Sequence, residues 1–143
     1  MPTYFLAMAG GFSSPRSPTL DGIRVLAVDD DRDTLELLEF LLSDYGANVI
    51  TVTSANEAWE RLPQLEPDIL IIDIAMPEKD GYWLIRQLRN LESNKGGIIP
   101  AIALTASGFE NESVRAIEAG FQILLRKPFD LVELVTAVVQ LTK

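Results

Sequence analysis

The sequence predicts a doubly wound α/β protein, a (βα)5 arrangement in which five parallel strands alternate with helices on both faces of the sheet. Short apolar runs recur from residue 24 onward, and each is too short to form a helix. Segments with apolar residues three and four positions apart separate these runs, as in amphipathic helices. The runs are almost continuously apolar, which is typical of parallel strands that are buried on both faces.

Five apolar runs supply the predicted strands. They are RVLAV at residues 24–28, NVITV at 48–52, ILII at 69–72, IIPAIAL at 98–104 and ILL at 123–125. The predicted helices follow them at residues 33–44, 55–65, 82–91, 112–119 and 131–142. Capping-box spacings mark two helix starts, and glycines stand where helix ends favour them (Ser54 with Glu57, Asp130 with Glu133; Gly46 and Gly120).

The composition limits the function. A chain of 143 residues is expected to form one domain, and its net charge of −9 argues against direct binding to nucleic acid or an anionic membrane surface. The sequence has no histidine and no cysteine, which excludes His-ligated metals, Ser/His/Asp triads, thiol catalysis and disulfides. The absence of cysteine fits a reducing compartment, and we expect a cytoplasmic protein.

The first 20 residues differ from the rest of the chain. They contain one charged residue, Arg16, and are dense in Gly, Ser and Pro, so residues 1–20 are predicted to be an N-terminal extension or linker and residues 21–143 the domain. A second hypothesis is that the apolar residues of this segment dock on the domain or on a neighbour (Tyr4, Phe5, Leu6 and Met8).

Polar residues follow four of the predicted strands. Asp29, Asp30 and Asp31 come after the first strand, Asp73 after the third, Thr105 after the fourth and Lys127 soon after the fifth. Because ligands of parallel α/β sheets bind outside the carboxyl ends of the strands, these residues are expected to meet at one edge. Taken singly, each also has a structural interpretation, such as a helix cap or a surface amine.

Taken together, these residues predict a divalent cation site with a reactive carboxylate. Asp29, Asp30 and Asp73 would repel one another, with Lys127 as their partner, unless a cation neutralised them. Hard carboxylate ligands without histidine or cysteine favour Mg²⁺. A carboxylate, Mg²⁺, a lysine and a hydroxyl are the groups needed to transfer a phosphoryl group to an aspartate.

Four motifs in order resemble the receiver domain of two-component response regulators. They are VLAVDDD at residues 25–31, DIAMPEKDG at 73–81, ALTA at 103–106 and KPF at 127–129, and the resemblance covers residues 22–141. It implies a flavodoxin-like sheet of strand order 2-1-3-4-5. It also implies that Asp73 accepts the phosphoryl group, and that Thr105 and Lys127 contact that group.

The resemblance further implies a Mg²⁺ site and a cis peptide bond. Asp30 resembles the main Mg²⁺ ligand, Asp29 its partner, and Asp73 and the backbone carbonyl of Ala75 complete the predicted ligands. The Lys127-Pro128 bond resembles one that is cis in this family, and proline lowers the free energy of that isomer.

Three positions depart from what many family members carry. Leu124 stands three residues before the lysine, where an aromatic side chain often reports the state of the threonine, so that switch is not expected here. Ala75 and Ser107 are too short to reach toward an attacking water. We therefore expect a phosphoaspartate that is not unusually short-lived, in a slowly dephosphorylating acceptor rather than a turnover enzyme.

The resemblance places the phosphohistidine donor outside this chain, because the chain has no histidine. The expected partner is a histidine kinase or a histidine phosphotransfer protein. Output is expected through protein contact, or as one module of a larger regulator or hybrid kinase, and the sequence leaves homodimerisation open. The alternative is a phosphorylation-independent interaction module with the same fold.

Overall fold

A computed structural model of the chain describes residues 19–106 and 111–143. The strands are β1 (Arg24–Val28), β2 (Asn48–Val52), β3 (Ile69–Asp73), β4 (Ala101–Thr105) and β5 (Ile123–Arg126). The helices are α1 (Arg32–Ser43), α2 (Ala55–Leu65), α3 (Gly81–Arg89), α4 (Glu112–Ala119) and α5 (Leu131–Thr142), with a short 3₁₀ helix at Ser93–Lys95. The strands pair in parallel in the order β2-β1-β3-β4-β5, which confirms the predicted flavodoxin-like fold.

The sheet is covered on both faces by apolar layers. Alternate residues of each strand point to opposite faces. Leu26, Leu70 and Ala103 therefore pack with α2, α3 and α4, whereas Val25 and Ile71 pack with α1 and α5. All residues of β3 and β4 are buried, as expected for central strands between two layers of helices. The sheet is thus a rigid support for the residues at its carboxyl edge.

The start of β4 differs from the sequence prediction of a strand over residues 98–104. The strand begins at Ala101, because the preceding residues form a turn in which Ile99 donates a backbone hydrogen bond to Gly96 at 3.1 Å. Pro100 has no N–H to donate to a strand partner, although its carbonyl accepts from Leu70 at 3.0 Å. Ile98, counted as a strand residue on its apolarity, is 73% exposed.

The helix starts follow the capping signals. The Asp130 and Glu133 pair forms a complete capping box, and the Ser54 hydroxyl accepts from the Glu57 amide at 3.1 Å. Before β1, Leu20 is fully buried against the α1 and α5 layer and donates its amide to the Tyr45 carbonyl at 2.9 Å. The predicted docking of residues 4–8 lies outside the described residues. No helix in residues 19–106 and 111–143 has the length and apolarity to cross a membrane.

Candidate functional site

Three carboxylates meet at the carboxyl edge of the two central strands. Asp29 and Asp30 directly follow β1, and Asp73 is the last residue of β3, which pairs with β1 in register. Each offers an oxygen within 4.8 Å of the others. Asp29 is 0% and Asp73 5% exposed, whereas Asp30 faces solvent. The structure therefore brings together the three carboxylates singled out in the sequence.

The neighbouring Asp31 has a structural role. Its side chain caps α1 by accepting from the Asp33 amide at 3.1 Å and from the Thr34 hydroxyl at 2.9 Å. Its own amide donates to Oδ1 of Asp29 at 2.9 Å, which orients that buried carboxylate. The sequence left open which aspartate caps the first helix. The structure assigns the cap to Asp31, and Asp30 belongs to the carboxylate cluster.

Lys127 brings one positive charge to this cluster. Its amide donates to the Thr105 carbonyl at 2.7 Å, which fixes the start of the segment after β5. Its Nζ lies 2.8 Å from Oδ2 of Asp29 and 3.9 Å from Oδ2 of Asp73. The contact with Asp29 is an ion pair rather than a well-directed hydrogen bond. The Lys127-Pro128 peptide bond is cis, as predicted.

The charges of the cluster are out of balance. Burial, and then the charge of Asp29, raise the pKa of Asp73 to about 6, although Lys127 opposes the shift. Burial lowers the pKa of Lys127, but its contacts with Asp29 and Asp73 outweigh burial, so its pKa is raised overall. Asp73 is therefore a buried carboxylate that is still largely ionised at neutral pH, beside a fully charged ammonium.

The loop between β3 and α3 holds Asp73 through its backbone. The Ala75 amide donates to Oδ1 of Asp73 at 3.3 Å. Gly81, the first residue of α3, is packed so closely on β3 that a Cβ there would lie 2.7 Å from the Asp73 carbonyl oxygen. Sequence reasoning noted this glycine only as part of a motif. Its steric role depends on how α3 packs on β3, which the sequence does not show.

Thr105 is connected to two residues that sequence reasoning missed. Its hydroxyl donates to Oε1 of Glu112 at 3.3 Å, and the Tyr82 hydroxyl donates to Oε2 of the same carboxylate at 2.6 Å. Thr105 is 2% and Tyr82 6% exposed. Thr105 ends β4 and Glu112 begins α4. Because the two residues lie in different elements, periodicity within one helix or strand gives no signal for the contact.

The donor set fits a hard divalent cation. Asp29, Asp30 and Asp73 offer only carboxylate oxygens, the ligands preferred by Mg²⁺, and the exposure of Asp30 leaves one side open to water. Three carboxylates face one ammonium, so a cation would relieve repulsion that the protein alone leaves in place. The carbonyl of Ala75 stays a predicted ligand, and Ser107 lies outside the described residues.

The size of a concave surface does not identify this site. A cleft of about 650 Å³ opens at the opposite edge of the sheet, beside Arg24, and its lining is mainly apolar, including Trp59 and Leu62. Its charged residues are separated along the chain and include Glu66 and Lys95. The carboxylates, the hydroxyl and the ammonium gather instead at the carboxyl edge, which is where α/β sheets bind ligands.

Comparisons with known proteins agree with the fold and the motifs. The family described as "Response regulator receiver domain" matches residues 25–139. An uncharacterized 14.6 kDa protein of Leptolyngbya boryana is 45% identical over 85% of this chain and 92% of its own length. The response regulator MprA of Mycobacterium leprae is 39% identical over 81% of this chain. The matched region is 49% of the length of MprA.

A solved structure extends the likeness to three dimensions. A putative response regulator from Chloroflexus aurantiacus has a TM-score of 0.78 and 35% identity, over 84% of this chain and 97% of its own. The matched residues 25–139 contain β2 to β5, all of β1 except Arg24, and every carboxylate of the cluster. The chain therefore belongs to the response regulator receiver domain family of two-component signalling.

Proposed function

We propose that this receiver domain accepts a phosphoryl group on Asp73 from a phosphohistidine of a partner histidine kinase or histidine phosphotransfer protein. The observation that carries the proposal is the buried Asp73 carboxylate at the end of β3, close to both Asp29 and the Lys127 ammonium. Burial keeps bulk water from the carboxylate, while the open side at Asp30 admits a phosphoryl donor.

The transfer moves the phosphoryl group from nitrogen to oxygen. An oxygen of the ionised Asp73 attacks phosphorus, the P–N bond breaks, and its electron pair stays on the imidazole nitrogen of the donor. A pKa of about 6 leaves Asp73 mostly ionised at neutral pH, so the nucleophile is ready. Lys127, 3.9 Å from Asp73, and the hydroxyl of Thr105 then contact the phosphoryl oxygens.

Mg²⁺ completes the proposed site. Asp29, Asp30 and Asp73 would hold it, with the carbonyl of Ala75 as a further ligand. Bound there, Mg²⁺ would neutralise charge on the transferred phosphoryl group. The same charge balance explains why the cluster needs a cation in addition to Lys127.

Output is proposed to pass through protein contact, in the cytoplasm. The outer surfaces of α4 and α5 expose apolar side chains: Val114 is 56%, Ile117 53% and Val132 52% exposed. Exposed apolar residues on neighbouring elements are typical of contact surfaces, with a target protein or with a second copy. Ala75 offers no polar group to position an attacking water, so we expect a phosphoaspartate half-life well above seconds.

Chemical phosphorylation tests the proposal. The protein is incubated with Mg²⁺ and acetyl phosphate, and intact mass spectrometry counts the phosphoryl groups gained. We expect one group on the wild type, none on Asp73→Asn, and one on the control Asp33→Asn, which makes the same change at an exposed aspartate nearby. A wild type that gains no group, or an Asp73→Asn variant that gains as much, would support the phosphorylation-independent module instead.

A further inference from the structure

One carboxylate joins the hydroxyl at the end of β4 to two helices. Glu112, at the start of α4, accepts from the Thr105 hydroxyl at 3.3 Å with one oxygen and from the Tyr82 hydroxyl of α3 at 2.6 Å with the other. The Arg115 guanidinium lies 4.5 Å from the Tyr82 ring centroid, which holds the phenol against α4. The network therefore links the proposed phosphorylation site to the start of α4.

The Thr105 bond to Glu112 conflicts with the proposed reaction. A threonine hydroxyl has one hydrogen to donate. When Thr105 donates to Glu112, it cannot donate to a phosphoryl oxygen on Asp73. Leu124, on the neighbouring β5, offers no polar group that could take part in the exchange. One polar connection from Thr105 runs through Glu112 to Tyr82, and so to α4 and α3.

We infer that Glu112 is a positioning residue that competes with the phosphoryl group for the hydroxyl proton of Thr105. The inference rests on the proposed function. In the unphosphorylated protein the carboxylate holds the hydroxyl toward α4, and phosphorylation draws it away. Glu112 then keeps its bond with Tyr82, and the start of α4 loses this hydrogen bond to β4. That loss is the signal that reaches the exposed surface of α4.

Binding of a phosphoryl mimic measures the competition. Beryllofluoride is titrated calorimetrically into the Mg²⁺-loaded protein, where it occupies the site on Asp73. Glu112→Ala removes the competing acceptor, and we expect affinity to rise about fivefold, the worth of one hydrogen bond. Glu112→Gln keeps a weaker, neutral acceptor, so the expected gain is about twofold. Tyr82→Phe leaves the Thr105 bond in place and should not increase affinity.

Two controls separate competition from charge and from folding. Glu118→Ala removes the same charge from an exposed position of the same helix and should leave affinity unchanged. In a Thr105→Val background there is no hydroxyl to compete for, so Glu112→Ala should no longer raise affinity. If Glu112→Ala does not fold, the affinity of Glu112→Gln is compared in the presence and absence of Thr105→Val instead.

The outcomes distinguish this inference from the proposed function. A wild type that does not bind beryllofluoride would overturn both. If the wild type binds beryllofluoride, but Glu112→Ala binds it no more tightly than Glu118→Ala does, only the competition would be overturned. An equal gain in the Thr105→Val background would also overturn it, because the effect would then be the loss of a negative charge near the site.

Discussion

The two edges of the sheet both take up charged side chains, but they balance the charge differently. At the carboxyl edge, Asp29 and Asp73 are buried with Lys127 as their close cation. At the amino edge, the half-buried guanidinium of Arg89 donates five hydrogen bonds to neutral oxygens (the carbonyls of Gly97, Ile99 and Gly120, and the side chain of Gln122). Burial lowers the pKa of Arg89, whereas it raises that of Asp73 to about 6.

The charge at the amino edge has a structural role, whereas the charges at the carboxyl edge are reactive. Carbonyl dipoles solvate the Arg89 guanidinium and tie the end of α3 to the segments that precede β4 and β5, so the buried charge supports the fold. At the other edge, like charges stay close together, and the repulsion can be relieved by a proton or a metal ion. The amino edge is therefore built for stability, and the carboxyl edge gives up stability for reactivity.

Gly120 makes the amino-edge arrangement possible. Its φ of +124° lies in a region that other residues rarely adopt, and a Cβ there would lie 2.8 Å from Cγ of Arg89. The glycine thus ends α4 and at the same time lets the arginine reach the carbonyl of Gly120 with two nitrogens, at 3.0 and 2.8 Å. One sequence signal for a helix end serves a second, tertiary purpose.

The largest expected effect is from loss of the arginine. Arg89→Ala leaves the carbonyls of Ile99 and Gly120 without their donor, and we expect the free energy of unfolding to fall by about 3 kcal/mol. Urea denaturation measures the change. Arg86→Ala, at an exposed position of the same helix, is the control and should change stability by less than about 0.5 kcal/mol. Equal effects of the two variants would mean that the five bonds contribute nothing specific.

The second effect has the opposite sign, at the carboxyl edge. Folding raises the pKa of Asp73 from its usual 3.8 to about 6, so between these values the folded state binds more protons than the unfolded state. The metal-free protein therefore loses stability as the pH rises through this window. Asp73→Asn should stabilise it by about 2 kcal/mol at pH 7, with the gain shrinking toward zero near pH 4.

Urea denaturation at several pH values, in EDTA, checks this prediction. The difference between wild type and Asp73→Asn isolates the contribution of this carboxylate, because other groups titrate in both proteins. The variant should show a flatter dependence between about pH 4 and pH 6. A stability difference that stays constant with pH, or that favours the wild type at pH 7, would show that the buried charge of Asp73 does not destabilise the carboxyl edge.

A third effect is the response to Mg²⁺. At ten times its dissociation constant, Mg²⁺ should stabilise the folded protein by about 1.4 kcal/mol, by binding the folded state only. Asp30→Asn should lose most of this stabilisation, whereas Asp33→Asn and Arg86→Ala should keep it. Thermal unfolding with and without Mg²⁺ measures each. Stabilisation that survives Asp30→Asn would place the cation away from the three carboxylates.

The sequence predicted the side-chain cluster at the carboxyl edge but not the one at the amino edge, and the reason is physical. Asp29 and Lys127 each follow a strand, and Asp73 is the last residue of one. Because parallel strands bring their carboxyl ends to one edge, residues that are far apart in the sequence become neighbours there. Arg89 bonds to segments 8 to 33 residues away that have no periodic relation to it. Its role depends on how helix and turns pack, which local patterns do not encode.

One predicted element bound was wrong, and one contact was not predicted. The apolar run 98–104 looks like one strand, but Pro100 and the turn at Gly96 shorten it to Ala101–Thr105. Glu112 looks like a surface residue at a helix start, yet its carboxylate meets Thr105 and Tyr82. A local turn decides the first case, and tertiary hydrogen bonds decide the second.

The smallest expected effect tests whether backbone strain also differs between the edges. Glu66, which ends α2 at the amino edge, has φ of 45°, and Glu78, between β3 and α3 at the carboxyl edge, has φ of 66°. Glycine adopts such angles without the steric cost, although it also makes the unfolded chain more flexible. Glu66→Gly and Glu78→Gly should therefore each stabilise the protein by about 0.5 kcal/mol. Equal gains would show that the edges differ in charge alone, whereas a loss on Glu78→Gly only would show that the carboxyl edge also needs its strained loop.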